Sequence, residues 1–186
     1  PHYFSVFRNL IFYHIALSIV YYLYALFNPS DSWSYYRKVT LEYRGPSWSD
    51  FYGVSTSFIE FLGYPFIKYL QLPYESLMMV FAWFGLLGFF FFYIFLKEQV
   101  RFKHQFFGYD LLLILIFLPN PHFWAASFGK GSIIFLGLAL YFYGIARINT
   151  RFMAVIIGAI IVYHVRPHII FIVLIATAVG FTFSTK

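Results

Sequence analysis

The chain lacks cysteine and carries little charge. None of its 186 residues is cysteine, and only 11% are Asp, Glu, Lys or Arg, against about 25% in an average soluble domain. The first absence excludes disulfides and thiolate metal sites. The second leaves too few ionised side chains to cover the surface of a soluble protein of this length.

Apolar and aromatic side chains take the place of charge. Hydrophobic residues make up 61% of the chain and aromatic residues 26%, including 27 Phe and 17 Tyr. A soluble core of this size cannot hide so many rings, so the excess is expected to face lipid acyl chains. The composition therefore predicts a membrane protein.

Long uncharged runs predict the membrane helices. Residues 10–27 and 77–96 each have about the length that a helix needs to cross a bilayer. Shorter apolar runs follow at residues 105–118, 132–146, 152–165 and 169–183. We expect an all-α, polytopic transmembrane helical bundle of about six membrane helices, because the runs are continuous rather than alternating. The alternative is that the stretch around Pro119 to Lys130 forms a re-entrant pair.

The two ends of the chain predict a fragment of a longer protein, with residues 1–186 as a single transmembrane domain. The sequence begins with Pro1 and stops at Lys186, directly after an apolar run. No small-residue cleavage site follows Phe27, so the first run is expected to stay as an anchor.

Lysine and arginine positions predict the orientation. With six spans, one side receives Arg8, Lys97, Arg101, Lys103, Arg147, Arg151 and Lys186. An excess of basic residues in short loops is typical of the cytoplasmic side. Residues 28–76 would then form a long external loop, and the junctions at residues 119–131 and 164–168 would also be external.

That orientation gathers the chemically suggestive residues on the external side. They are Asp31, Arg44, Asp50, Glu60, His122, Lys130, His164, Arg166 and His168. Ionisable side chains at membrane depth are costly, so their clustering favours a functional, mainly cationic cleft. The structural alternatives are that Asp31 caps a turn, His122 bonds a buried carbonyl and Arg166 reaches lipid phosphates.

The sequence "SFGKGS" at residues 127–132 has a partial likeness to a phosphate loop. A Walker A loop needs glycine at the position of Trp124, so ATP binding is excluded. We expect Ser132 to open a helix whose free amides, together with Lys130, favour an anion. We also expect the backbone to need glycine's freedom at Gly129 and Gly131.

A second candidate anion site is "RPHI" at residues 166–169. Arg166 offers a planar fork for phosphate oxygens, and Pro167 prevents it from continuing a regular helix. The predicted phosphate-binding residues are Lys130, Arg166 and Arg44. The predicted proton acceptor is Asp31 or, alternatively, His168. No metal or cofactor is expected.

Three segments together resemble a known group of proteins. They read "FYGVSTSFIEFLGYPFIKYL", "LPNPHFWAASFGKGSIIFLGLALYFYG" and "RPHI". This string resembles bacterial, Bacteroidetes-type polytopic membrane proteins related to O-antigen type polysaccharide polymerases and GT-C glycosyltransferases, over about residues 31–183. The resemblance implies a GT-C-like fold and polyprenyl-linked sugar substrates. It assigns Asp31 to the acidic position of the first external loop, and Lys130 and Arg166 to the lipid diphosphate. Gly131 departs from the group, which usually has an acidic residue after the lysine.

The resemblance also implies an activity. We expect a membrane glycosyltransferase or polysaccharide polymerase that acts on polyprenyl-(di)phosphate-linked sugars at the external face of the bacterial inner membrane. Its partners would be membrane lipid and the lipid-linked glycan. The alternative is a noncatalytic accessory subunit bound to other membrane subunits. Nucleic-acid binding is not expected, because the basic residues lie at span ends.

Overall fold

The fold is all-α, as predicted. A computed structural model describes residues 2–100 and 105–184. Its α-helices are α1 (His2–Phe27), α2 (Asp31–Thr40), α3 (Thr56–Tyr64), α4 (Tyr74–Gln99), α5 (Leu111–Ile116), α6 (Pro119–Trp124), α7 (Lys130–Ile145), α8 (Ile148–Val165) and α9 (Pro167–Ser184). A small antiparallel hairpin, β1 (Gln105–Phe106) with β2 (Tyr109–Asp110), precedes α5.

Among the described residues, three helices are long and apolar enough to cross a membrane. They cover Phe4–Phe27, Tyr74–Gln99 and Ile148–Val165. Shorter apolar helices cover Leu111–Trp124, Lys130–Ile145 and Pro167–Phe183. These long apolar helices agree with the prediction, from composition, that the chain is a membrane protein. The number of about six crossings stays a prediction, since the shorter helices fall below the length of about 20 residues that a crossing needs.

The stretch predicted as a long loop is largely helical. Between α1 and α4 it contains α2, a 3-10 turn (Trp48–Phe51), α3 and a π-helical turn (Pro65–Tyr69). Helix α2 forms because Ser30 caps its start and one face buries Ser32, Tyr35 and Val39, the spacing of an amphipathic helix. Residues 28–73 therefore form a folded layer over one end of the long helices.

A buried aromatic core joins this layer to the bundle. Phe128, between α6 and α7, meets Phe81 of α4 with ring centroids 4.6 Å apart and Tyr35 of α2 with centroids 6.1 Å apart. Val165, at the end of α8, belongs to the same core. This core fixes the start of α2, the α6–α7 junction and the end of α8 in one place.

Helices α7 and α8 pack closely against each other. A Cβ atom added to Gly158 of α8 would lie 2.6 Å from the carbonyl oxygen of Gly137 in α7. Only small side chains allow two helix backbones to approach this far. The start of α7 and the end of α8 line one cavity, so this contact holds Lys130 and Arg166 at the same end of the bundle.

Ion pairs mark the opposite end. Glu98, near the end of α4, accepts hydrogen bonds from Arg151 of α8 at 2.7 and 2.9 Å and lies 3.1 Å from Arg147. Both arginines belong to the side predicted to be cytoplasmic. Three other residues of that prediction, Arg101, Lys103 and Lys186, lie outside the described residues. The orientation in the membrane stays a prediction.

The folded layer of residues 28–73 also contacts the last turn of α8. The backbone N–H of Ser55 donates to the carbonyl oxygen of His164 at 2.6 Å. The Tyr52 hydroxyl lies 3.0 Å from Nε2 of the same histidine. These bonds anchor the residues just before Arg166, so the guanidinium extends from a fixed part of the backbone.

Candidate anion-binding cavity

A cavity of roughly 330 Å³ lies between α2, the α6–α7 junction and the end of α8. Its charged lining residues are Asp31, Lys130 and Arg166. Uncharged walls come from residues such as Tyr35, Trp124 and Ser127. We call this space the charged cavity. It brings together three of the five side chains singled out from the sequence.

Asp31 is the first residue of α2, but it does not cap that helix. Ser30 takes the capping role, with its side chain accepting from the backbone N–H of Trp33 at 3.4 Å. The Asp31 carboxylate instead accepts a hydrogen bond from the Tyr35 hydroxyl at 3.3 Å. The residue is exposed and lines the charged cavity.

Tyr35 holds its proton firmly beside that carboxylate. Burial, followed by the charge of Asp31, raises the pKa of Tyr35 to about 12. The hydroxyl therefore stays a hydrogen-bond donor at neutral pH. Tyr35 lies one helical turn after Asp31, a spacing that places two side chains on the same face of a helix. That spacing is the sequence signal by which this wall residue could have been found.

Lys130 begins α7, two residues earlier than the predicted start at Ser132. The Ser132 hydroxyl donates its hydrogen toward the carbonyl oxygens of Ser127, at 2.9 Å, and Gly129, at 3.1 Å. Ser132 therefore lies in the first turn of α7 and links that turn to the chain segment before it. Within the described part of the chain no side chain caps this helix start, so its first amides have no side-chain partner. Lys130 and Gly131, at that start, line the cavity.

Gly131, rather than Gly129, is the glycine that the junction requires. Gly129 has extended backbone angles, φ −179° and ψ −175°, which any residue can adopt. The expectation that Gly129 needs conformational freedom is therefore wrong. A Cβ atom on Gly131 would overlap the carbonyl oxygen of Trp124. Close approach of two backbone segments is the reason for this glycine.

Arg166 lies between two helices. Its backbone angles, φ −149° and ψ 87°, are non-helical, and Pro167 begins α9 directly after it. This break confirms the prediction that Pro167 stops Arg166 from continuing a regular helix. The side chain is exposed and lines the charged cavity.

The three charged groups of the cavity are not neutralised by ion pairs. Across residues 2–100 and 105–184, Asp31, Lys130 and Arg166 form no ion pair with one another or with any other described group. Two cations face one carboxylate, so the excess charge of the lining is positive. Such a lining favours an anionic ligand, and the amides at the start of α7 add to that preference.

Arg44 and His168 lie elsewhere. The Nε atom of Arg44 donates to Glu60 at 2.6 Å, and Arg44 is not among the residues that line the charged cavity. His168 is an exposed residue of the first turn of α9 and is also absent from the lining. The predicted roles of these two residues are not supported by their positions.

Asp50 and His122 have bonds of their own within the fold. The Asp50 carboxylate accepts from the backbone N–H of Ser47 at 2.9 Å. His122 is buried and lies 2.7 Å from the carbonyl oxygen of Ile116. For His122 the structural alternative weighed above, a bond to a buried carbonyl, is therefore correct.

Comparisons with protein-family models, with curated proteins and with solved structures gave no match. The resemblance to polysaccharide polymerases and GT-C enzymes therefore stays a prediction.

Proposed function

We propose that the charged cavity binds the phosphate of a polyprenyl-phosphate- or polyprenyl-diphosphate-linked sugar, and that the protein is a membrane glycosyltransferase or polysaccharide polymerase. The supporting observation is the convergence of Asp31, Lys130 and Arg166 on one cavity without ion pairs among the described residues. Each residue lies at a different helix junction, far from the others in the sequence. The tertiary fold therefore brings the three side chains together.

Lys130 and Arg166 suit the phosphate. The guanidinium can donate two parallel hydrogen bonds to phosphate oxygens, and the ammonium adds a point charge. The free amides at the start of α7 can donate to the same group. A cavity of roughly 330 Å³ suits a sugar-phosphate head group. The polyprenyl chain would lie outside the cavity, along exposed apolar residues such as Trp124, which is 55% exposed.

Asp31 suits the proton transfer. An acceptor hydroxyl would give its proton to the Asp31 carboxylate while its oxygen forms a bond to the anomeric carbon. The bond between that carbon and the phosphate oxygen breaks, and its electron pair leaves with the phosphate. The charge that develops on the departing phosphate falls between Lys130 and Arg166, where it is stabilised.

A second candidate function is that of a noncatalytic accessory subunit. The observation that favours it is the exposure of α9, where Phe171, Ile172 and Ile175 are at least 60% exposed. A neighbouring membrane protein could cover this face, although lipid would cover it equally well. The two functions differ in whether the charged cavity turns over a substrate.

Asp31→Asn separates binding from transfer. Purified wild-type protein, incubated with a panel of polyprenyl-phosphate-linked hexoses and free sugar acceptors, should release polyprenyl phosphate that mass spectrometry detects. We expect Asp31→Asn to lower this release at least 100-fold, the lower end of the range of roughly 10²- to 10⁴-fold for general acid–base catalysis. It should still bind polyprenyl phosphate. Equal release by both proteins would contradict the role of Asp31 as the proton acceptor. No release by wild type would contradict the proposed transfer and favour the accessory subunit.

A further inference from the structure

Two histidines meet in the interior, away from the charged cavity. His14 of α1 and His122 of α6 are 1% and 0% exposed. Their Nδ1 atoms lie 2.8 Å apart, which is a hydrogen-bond distance. His14 belongs to a helix that is long and apolar enough to cross a membrane, so the pair lies where water is scarce.

Each ring also contacts a carbonyl oxygen through its other nitrogen. Nε2 of His14 lies 3.0 Å from the oxygen of Ala82 in α4. Nε2 of His122 lies 2.7 Å from the oxygen of Ile116, at the end of α5. A carbonyl oxygen only accepts hydrogen bonds, so both Nε2 atoms must carry a hydrogen.

The number of hydrogens then fixes the charge. A neutral imidazole carries one N–H, so two neutral rings supply two hydrogens for three contacts. With both hydrogens on Nε2, the two Nδ1 atoms would face each other as lone pairs at 2.8 Å. A third hydrogen between them removes this repulsion. The three contacts together therefore require one excess proton and a single positive charge on the pair.

The surroundings of the pair suit a delocalised cation. The ring of Phe89 stacks on His122 with centroids 3.6 Å apart and an interplanar angle of 2°, a face-on contact that is favourable to a positive charge. Among the described residues, Tyr13 is the other titratable side chain in ring contact with the pair. Among described residues, no carboxylate, lysine or arginine forms a hydrogen bond or ion pair with either imidazole.

We propose that His14 and His122 form a proton-binding site that links α1 to α6 when it holds one shared proton between the two Nδ1 atoms. Burial in an apolar core disfavours the charge, whereas the three contacts require it. Loss of the proton must therefore break at least one contact. His122 is two residues before Trp124, which lines the charged cavity.

Nitrogen NMR of the protein in lipid nanodiscs tests this site. The probe is protein with ¹⁵N-labelled histidine, titrated from about pH 3 to 8, a range that extends below the ordinary one for histidine because burial disfavours the charged ring. His14→Gln and His122→Gln identify the two signals, and His168→Gln is the exposed control. We expect both Nε2 atoms to stay protonated throughout. One hydrogen should be shared by the two Nδ1 nuclei in the singly protonated form, and their coupling should disappear as that proton is lost.

Two results would overturn the proposal. One is an Nδ1–Nδ1 contact that persists when both rings are neutral. The other is the absence of a singly protonated, coupled pair at every pH in the range, since the described arrangement would then not exist. Loss of the coupling in His168→Gln would show that the signal belongs to another histidine, and would overturn the assignment equally.

Discussion

Two groups of basic residues near the same end of the bundle have opposite surroundings. In the first, which we call the Glu60 cluster, Arg44 and Lys38 lie 2.6 and 3.5 Å from the carboxylate oxygens of Glu60. In the second, the charged cavity, Lys130 and Arg166 have no carboxylate within ion-pair distance among the described residues. The sequence does not separate the two groups, because all four cations lie in segments predicted to be external.

Burial explains the difference. Glu60 is completely buried, and its two cations are each about one-third exposed. A buried carboxylate is costly unless it is paired, so these cations are committed to the fold. Asp31 is exposed and needs no such pairing. Lys130 and Arg166 therefore keep the capacity to bind a ligand. The presence of charged side chains does not by itself identify a binding site. Charged side chains that form no ion pair within the protein are the better indication of one.

The largest expected effect comes from removing the shared carboxylate. Glu60→Gln keeps the size of the side chain but leaves Arg44 and Lys38 without their partner. We expect the free energy of unfolding to fall by about 3 kcal/mol, the lower end for a broken buried pair, since solvent partly screens both cations.

Denaturant unfolding of the protein in nanodiscs measures this change. Glu75→Gln is the matched control, since Glu75 is exposed and accepts a hydrogen bond from the Tyr22 hydroxyl. Its effect should stay within about 0.5 kcal/mol. Similar stability of Glu60→Gln and Glu75→Gln would mean that the Glu60 cluster does not stabilise the fold.

A smaller effect is expected at the glycines beside Lys130. Gly131→Ala places a Cβ atom on the Trp124 carbonyl oxygen, so the junction must shift, and we expect a loss of about 1–3 kcal/mol. At Gly129 an added Cβ meets only the Ser127 hydroxyl oxygen, at 3.6 Å. Gly129→Ala should therefore leave the unfolding free energy nearly unchanged. A larger loss in Gly129→Ala than in Gly131→Ala would contradict the described junction.

Much of the fold follows from simple sequence patterns. Uncharged apolar runs predicted the long helices, and Pro167 predicted the break at Arg166. The folded layer of residues 28–73 was missed because its helices are short and amphipathic, and polar residues between them are typical of loops. The start of α7 was misplaced because a serine usually precedes a helix. Ser132 instead lies inside the first turn, and its hydroxyl donates to carbonyl oxygens of the preceding segment.

The cavity was only partly predictable for a different reason. Asp31, Lys130 and Arg166 were selected by residue type and local pattern, and the fold places them together. Arg44 was selected by the same rules, yet Glu60 lies 16 residues further along the chain and binds it. Local pattern contains no information on which acidic side chain a basic one will meet. Pairing is a tertiary property, and it separates structural cations from available ones.

The direct test of the central claim is ligand binding to the two kinds of cation. Titration with a polyprenyl phosphate, with the uncharged polyprenol as the reference, can be followed by tryptophan fluorescence because Trp124 lines the charged cavity. We expect Lys130→Met and Arg166→Gln each to weaken binding of the phosphate by about 1.5–3 kcal/mol, or roughly ten- to hundredfold in Kd. Their unfolding free energies should change little. Arg37→Gln, an exposed change on α2 outside the charged cavity, should bind like wild type. The account predicts weakened binding only for the two cavity variants; equal Kd values for all four proteins would contradict it.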